Sequence, residues 1–146
     1  VSKYDVTRLK EAYDDFLLVT NRFKGSKYAE DASNRLIFLR DSMAKHEVYV
    51  ASYYLKRGAY LASSERSKYM LEKYPGAPAT KDALIILIES YNKLEMIDLA
   101  KSTADVLSQN FSNYSYMINE NKMVIIKDST KKDVIEKKSF FDLGLF

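Results

Sequence analysis

Cysteine is absent from the 146 residues, which excludes a disulfide framework, a thiolate metal site and a cysteine nucleophile, and removes the usual clue to redox compartment. Glycine (4) and proline (2) are both scarce. So few turn formers argue against an all-β domain and against a flexible linker between two domains, and favour long helices. The single histidine, His46, stands between Lys45 and Glu47 with no glycine-rich loop beside it. It reads as a surface or interface residue, because acid–base work needs a convergent pocket. There is no GxxxxGK[ST], no GxGxxG and no acidic pair at ligand spacing beyond scattered carboxylates such as Asp14 and Asp15. The expectation is therefore a non-enzyme, with no cofactor and no metal.

Charge of one sign is also lacking: 23 Lys+Arg stand against 20 Asp+Glu, a formal +3. Phosphate binding needs a concentrated basic stripe, so no nucleic acid is expected as a partner. The longest apolar run, Ala83 to Ile88, is too short to span a bilayer. The start at Val1 has none of the basic, apolar and small-residue zones of a signal sequence. It lies inside a helical pattern, so the chain is expected to be a soluble fragment whose targeting segment lies elsewhere. A hydrophobic content of 47% is ordinary for one globular domain.

What is present is a repeat. An aromatic, a short turn of small residues and a new helix start recur at Phe23, Tyr74 and Phe111, and a small residue stands eleven positions before each, at Ala12, Ser63 and Ala100. Phe23 to Tyr74 and Ala12 to Ser63 are both 51 residues apart, while Tyr74 to Phe111 and Ser63 to Ala100 are both 37. A unit of 37 lies near the 34 residues of tetratricopeptide repeats, whose paired helices meet at small residues. Tyr91, Leu94, Ala100 and Ala104, and Tyr54, Gly58, Ser63 and Pro75 one unit earlier, resemble that repeat in a degenerate form. The longer first unit differs by 14 residues, close to four turns at about 3.6 residues each, which lengthens a helix without rotating its apolar face.

These patterns predict an all-α fold of tetratricopeptide-like helical hairpins stacked in a short right-handed solenoid. Helices are expected near 5–22, 28–56, 59–73, 79–94 and 97–110, with an irregular tail from about 112. In the second, Leu36, Leu39, Met43, Val50 and Tyr54 form the buried stripe, and Arg35, Arg40, Lys45, Glu47 and Arg57 fall on the opposite, solvated face. The repeat domain is expected over 1–111, divided into a remnant 1–27, a long-helix repeat 28–77 and a repeat 78–111. Residues 112–146 follow as a tail.

Of the 12 tyrosines, Tyr49, Tyr53, Tyr54, Tyr60 and Tyr69 cluster around one helical hairpin. Two roles are open to them: filling grooves between helices, or lining a surface for a partner, since Tyr and Arg are common interface anchors. Arg57 ends the long helix and Arg66 lies on the next, so a hairpin would bring both near one edge of the repeat. Each is open to a dipole contact or a solvated position as well as a partner role.

Asp31-Ala32, Arg35, Leu39-Arg40, Ala44, Glu47, Val50-Ala51, Tyr53-Tyr54, Arg57-Gly58-Ala59-Tyr60, Arg66, Tyr74-Pro75 and Ala83-Leu84 together resemble the C-terminal half of the BamD family, the ComL/YfiO-type lipoproteins of outer-membrane protein assembly in Gram-negative bacteria. The likeness runs from about 8 to 111. It implies a non-catalytic scaffold at the periplasmic face of the outer membrane, docking onto the periplasmic domain of the barrel-forming subunit BamA, with other BAM lipoproteins as further partners. Membrane attachment would run only through an N-terminal lipid anchor that this chain lacks. By position, Arg57 and Arg66 match the family's basic docking residues; Tyr60, Tyr69 and Lys73 join them by helical proximity. An arginine suits that task because its planar guanidinium pairs with a carboxylate through two parallel hydrogen bonds.

The tail, with Met123-Val124-Ile125-Ile126 and Phe140-Phe141-Asp142-Leu143-Gly144-Leu145-Phe146, has no counterpart in that family. Capping of the last helix pair is its expected role, since a terminal repeat must cover its apolar face; contact with a partner or membrane is the other. Two further readings stand beside the scaffold: another periplasmic tetratricopeptide adaptor binding peptides or envelope proteins, and a regulatory domain detached from an enzyme.

Overall fold

The computed structural model describes residues 6–131. Five helices, α1 (Val6–Arg22), α2 (Lys27–Lys56), α3 (Tyr60–Lys73), α4 (Thr80–Lys93) and α5 (Ile97–Asn110), are followed by two strands, β1 (Tyr114–Ile118) and β2 (Val124–Asp128). Each helix packs on the next, α2 also touches α4, and both strands lie on α5. The helical part is a stack of tetratricopeptide-like hairpins.

The local chemistry explains where the helices stop. At all three repeat aromatics the backbone N–H closes the preceding helix: Phe23 donates to the Val19 carbonyl, Tyr74 to that of Met70 and Phe111 to that of Leu107, at 2.9–3.0 Å. Ser26 opens α2 as its N-cap, its hydroxyl accepting from Ala29 N–H at 3.2 Å. After α2 the chain turns through Gly58 at φ 75. There Gly58 N–H donates to Leu55 O and Ala59 N–H to Tyr54 O, each at 3.0 Å, the paired bonds of a Schellman termination.

Packing follows the small residues. Ser63 and Ala100 are wholly buried, and the Ser63 hydroxyl donates to Ala51 O at 2.8 Å while accepting from Ser90 at 3.1 Å. These bonds satisfy polar groups at the α2–α3–α4 junction that would otherwise be costly to bury. Two apolar clusters flank α4: Met43, Ala44, Val48, Ala51, Leu55, Met70 and Ile86 on one side, and Leu84, Ile88, Ala104, Leu107 and Val124 on the other. Because α4 is covered on both sides, its run Ala83 to Ile88 is buried without a break, as a helix enclosed all round requires.

Two expectations need correction. The segment after Phe111 is not irregular: β1 and β2 pair antiparallel, Tyr116 opposite Ile126 and Ile118 opposite Val124. Tyr114, Tyr116, Val124 and Ile126 pack against the α4–α5 cluster, and burial of that face stabilises a hairpin that is marginal alone. Residues 132–146, including the run Phe140 to Phe146, lie outside the described residues. The second correction concerns α2, whose buried stripe holds Leu39, Met43, Ala44, Val48, Ala51 and Leu55 and also Glu47. Glu47 is only 7% exposed. Its position between Ala44 and Ala51 puts it on the buried side of the helix, against α3.

Candidate functional site

The α2–α3 hairpin carries all five residues singled out for partner contact, and the structure divides them. Arg66, Tyr69 and Lys73 follow one another at three and four residues on α3, the spacing that keeps side chains on one face. Tyr69 and Lys73 are exposed, and Arg66 is half-exposed. Arg57 lies elsewhere. Arg66 meets α2 at Glu47, and Arg57 is ten residues further along that helix, about 15 Å at 1.5 Å per residue. The two arginines therefore lie at different levels along α2. Tyr60, at the start of α3, is partly buried against the α2–α3 core.

Arg66 is held by an ion pair. Its Nη1 donates to Glu47 Oε2 at 3.1 Å, joining a side chain that keeps 41% of its exposure to a carboxylate that keeps 10%. A buried carboxylate needs such a partner, since an unpaired charge in this position is strongly unfavourable. The neighbouring Tyr74 is buried, and its phenol is pushed upward by that burial first and then by Tyr69 and the Glu47 charge. Glu47 is thus the residue that holds Arg66. Glu47 was not among the residues singled out; its interval from Ala44 and Ala51 was the available signal.

Arg57 has a different surrounding. As the C-cap of α2 it lays its guanidinium over the Tyr53 ring, 4.5 Å from the centroid, a cation–π contact at an exposed site. Tyr53 in turn meets Tyr54 edge-on at 5.8 Å between centroids. Further toward the start of α2, a groove of about 320 Å³ opens between that helix and α4, lined by Phe38, Asp41, Lys45, Pro78 and Asp82. Burial pushes the Asp82 carboxyl upward against the opposing pull of Lys81, Lys131 and Lys45. Among the described residues no cluster of His, Asp and Glu has the arrangement of a metal site, and no helix is long and apolar enough to cross a membrane.

Stacked helical hairpins meeting at small residues, with a mixed polar and aromatic face on the central hairpin, define a tetratricopeptide-like repeat protein. A family model described as an outer membrane lipoprotein, YfiO, matches residues 1–107, and the chain belongs to that family. It is similar to the "outer membrane protein assembly factor BamD" of Neisseria gonorrhoeae, at 39% identity over 108 residues covering 74% of this chain and 40% of the relative. The protein of the same name from Pasteurella multocida is 37% identical over 70% of this chain and 39% of its own length. That of Xylella fastidiosa is 35% identical over 80% and 40%. The chain spans about 40% of the length of these curated relatives.

Proposed function

We propose that this chain is the docking part of a non-catalytic scaffold in outer-membrane β-barrel protein assembly, and that it binds the periplasmic domain of the barrel-forming subunit BamA. Family membership and the names of the relatives support the process. The observation that carries the docking reading is Arg66: it is anchored at its base by Glu47 yet keeps 41% of its side chain open, beside exposed Tyr69 and Lys73. A guanidinium held in this way offers its remaining N–H groups to a carboxylate on the partner. Arg57 and Tyr60 are secondary contacts in this reading. Residues 1–111 form the repeat domain, the hairpin caps it, and the parent protein sits at the periplasmic face of the outer membrane through a lipid anchor, with other BAM lipoproteins as further partners.

The test is binding of the chain to the periplasmic domains of its own organism's barrel-forming subunit, with Arg66→Glu beside the wild type. Binding that charge reversal abolishes, with helical circular dichroism unchanged, supports the reading. If the wild-type chain shows no binding at high micromolar concentration, the docking reading falls and a different periplasmic tetratricopeptide adaptor takes its place.

A further inference from the structure

Glu47 is a buried acid in the middle of a 30-residue helix, a place where an apolar or small residue would pack without the cost of burying charge. Its neighbours on the buried stripe, Ala44, Val48 and Ala51, are of that kind. Among the described residues the carboxylate pairs with the Arg66 guanidinium on the facing helix at 3.1 Å. Arg66 is the more open of the two, at 41% exposure against 10%. The contact uses Nη1 alone, and a guanidinium carries five N–H donors in a rigid fork. Fixing one corner of a planar group restricts the directions in which the remaining donors point. A long arginine side chain otherwise loses rotamer freedom when it is immobilised on binding, and a preset orientation reduces that loss.

We infer that Glu47 is a positioning residue for Arg66: it holds the guanidinium between α2 and α3 with its free N–H edge outward, ready for an acidic group of the docking partner. This rests on the docking reading of Arg66 and adds a residue that touches no partner itself. Tyr69, exposed and three residues after Arg66 on α3, lies on the same helix face.

Four variants and two readouts test the inference. Glu47→Ala removes the acceptor, Glu47→Gln keeps an amide oxygen in its place, and Arg66→Ala with Glu47→Ala/Arg66→Ala closes a cycle. The first readout needs no partner: hindered rotation of the Arg66 guanidinium, followed by side-chain NMR of nitrogen-labelled chain. It is expected in the wild type, lost in Glu47→Ala and largely retained in Glu47→Gln. The second readout is affinity for the periplasmic domains, with thermal melting of each variant as the control for folding. Glu47→Ala is expected to weaken binding about tenfold, Glu47→Gln to recover most of it, and the effect of Glu47→Ala to vanish when Arg66 is already alanine.

A guanidinium as free in the wild type as in Glu47→Ala overturns the inference. So does a loss of affinity that persists in the Arg66→Ala background, which would mark Glu47 as a residue of general stability only. If the wild-type chain does not bind, the docking reading itself is overturned and the positioning role falls with it. A hindered Arg66 signal would then leave an internal ion pair that serves folding alone.

Discussion

Glu95 stands in the turn after α4 where Gly58 stands in the turn after α2, 37 residues earlier, and both adopt the left-handed backbone, at φ 58 and φ 75. The hydrogen bonds match as well: Glu95 N–H donates to Asn92 O and Met96 N–H to Tyr91 O, as Gly58 and Ala59 do one repeat before. The same helix termination is thus built once with the residue suited to it and once with a side chain that the left-handed region disfavours.

Glu95→Gly should therefore stabilise the fold. Relief of the strain at one position amounts to about 1 kcal/mol, which corresponds to a rise of about 3 °C in Tm for a chain of this size. Gly58→Ala should lower stability by a similar amount. Thermal melts of the two variants check both signs, and an unchanged Tm for Glu95→Gly would contradict the argument.

Asn92 ties the strand pair to the helices. Its side-chain amide donates to Val124 O at 2.8 Å and accepts from Val124 N–H at 3.0 Å, all within the interior. Asn92→Ala leaves a buried backbone N–H and carbonyl without partners, at about 1–3 kcal/mol for each group. We expect urea unfolding at a lower midpoint and, by hydrogen exchange, loss of protection at the Val124 amide before any loss in α2 or α3.

The groove acid gives a pH dependence. Burial, opposed by Lys81, Lys131 and Lys45, raises the Asp82 carboxyl above its ordinary 3.8, and burial, opposed by Lys93, raises that of Glu89 above 4.5. An acid whose folded pKa is the higher one keeps its proton longer in the native state, so stability falls as pH rises from the ordinary value through the raised one. Asp82→Asn should accordingly stabilise the chain at neutral pH and lose that advantage below pH about 4. Denaturation at pH 3 and pH 7 decides it; equal gains at both would show that desolvation of the charge is not the cause.

The two arginines should behave differently. Arg66 is buttressed by Glu47 across the helix pair, whereas Arg57 rests on Tyr53 of its own helix, a contact worth about 0.5–1 kcal/mol at an exposed site. Titration of the periplasmic domains is expected to show Arg66→Ala at least tenfold weaker and Arg57→Ala about threefold weaker at most. Comparable losses would mean that the proposed centre of the docking face extends to the far end of α2.

Much of this molecule follows from contacts only a few residues apart, and those were readable in the chain. Phe23, Tyr74 and Phe111 close helices by bonds to the fourth residue before them, so their intervals carried the repeat and the five helices with it. Ser26 and Gly58 act on the same local scale. The strands were missed even though Tyr114, Ser115 and Tyr116 alternate in polarity. Such a short pattern is weak evidence without a face to bury it, and that face is supplied by α4 and α5. Glu47 is the clearest case of tertiary control: among Lys45, His46 and Tyr49 a glutamate reads as solvated. Sequence alone determined the helical repeat and its family, because capping and periodicity are local. Only the packing of α3 on α2 decided that Glu47 is buried and that Arg66 is the arginine it holds, because partners nineteen residues apart are matched by the stacking of helices.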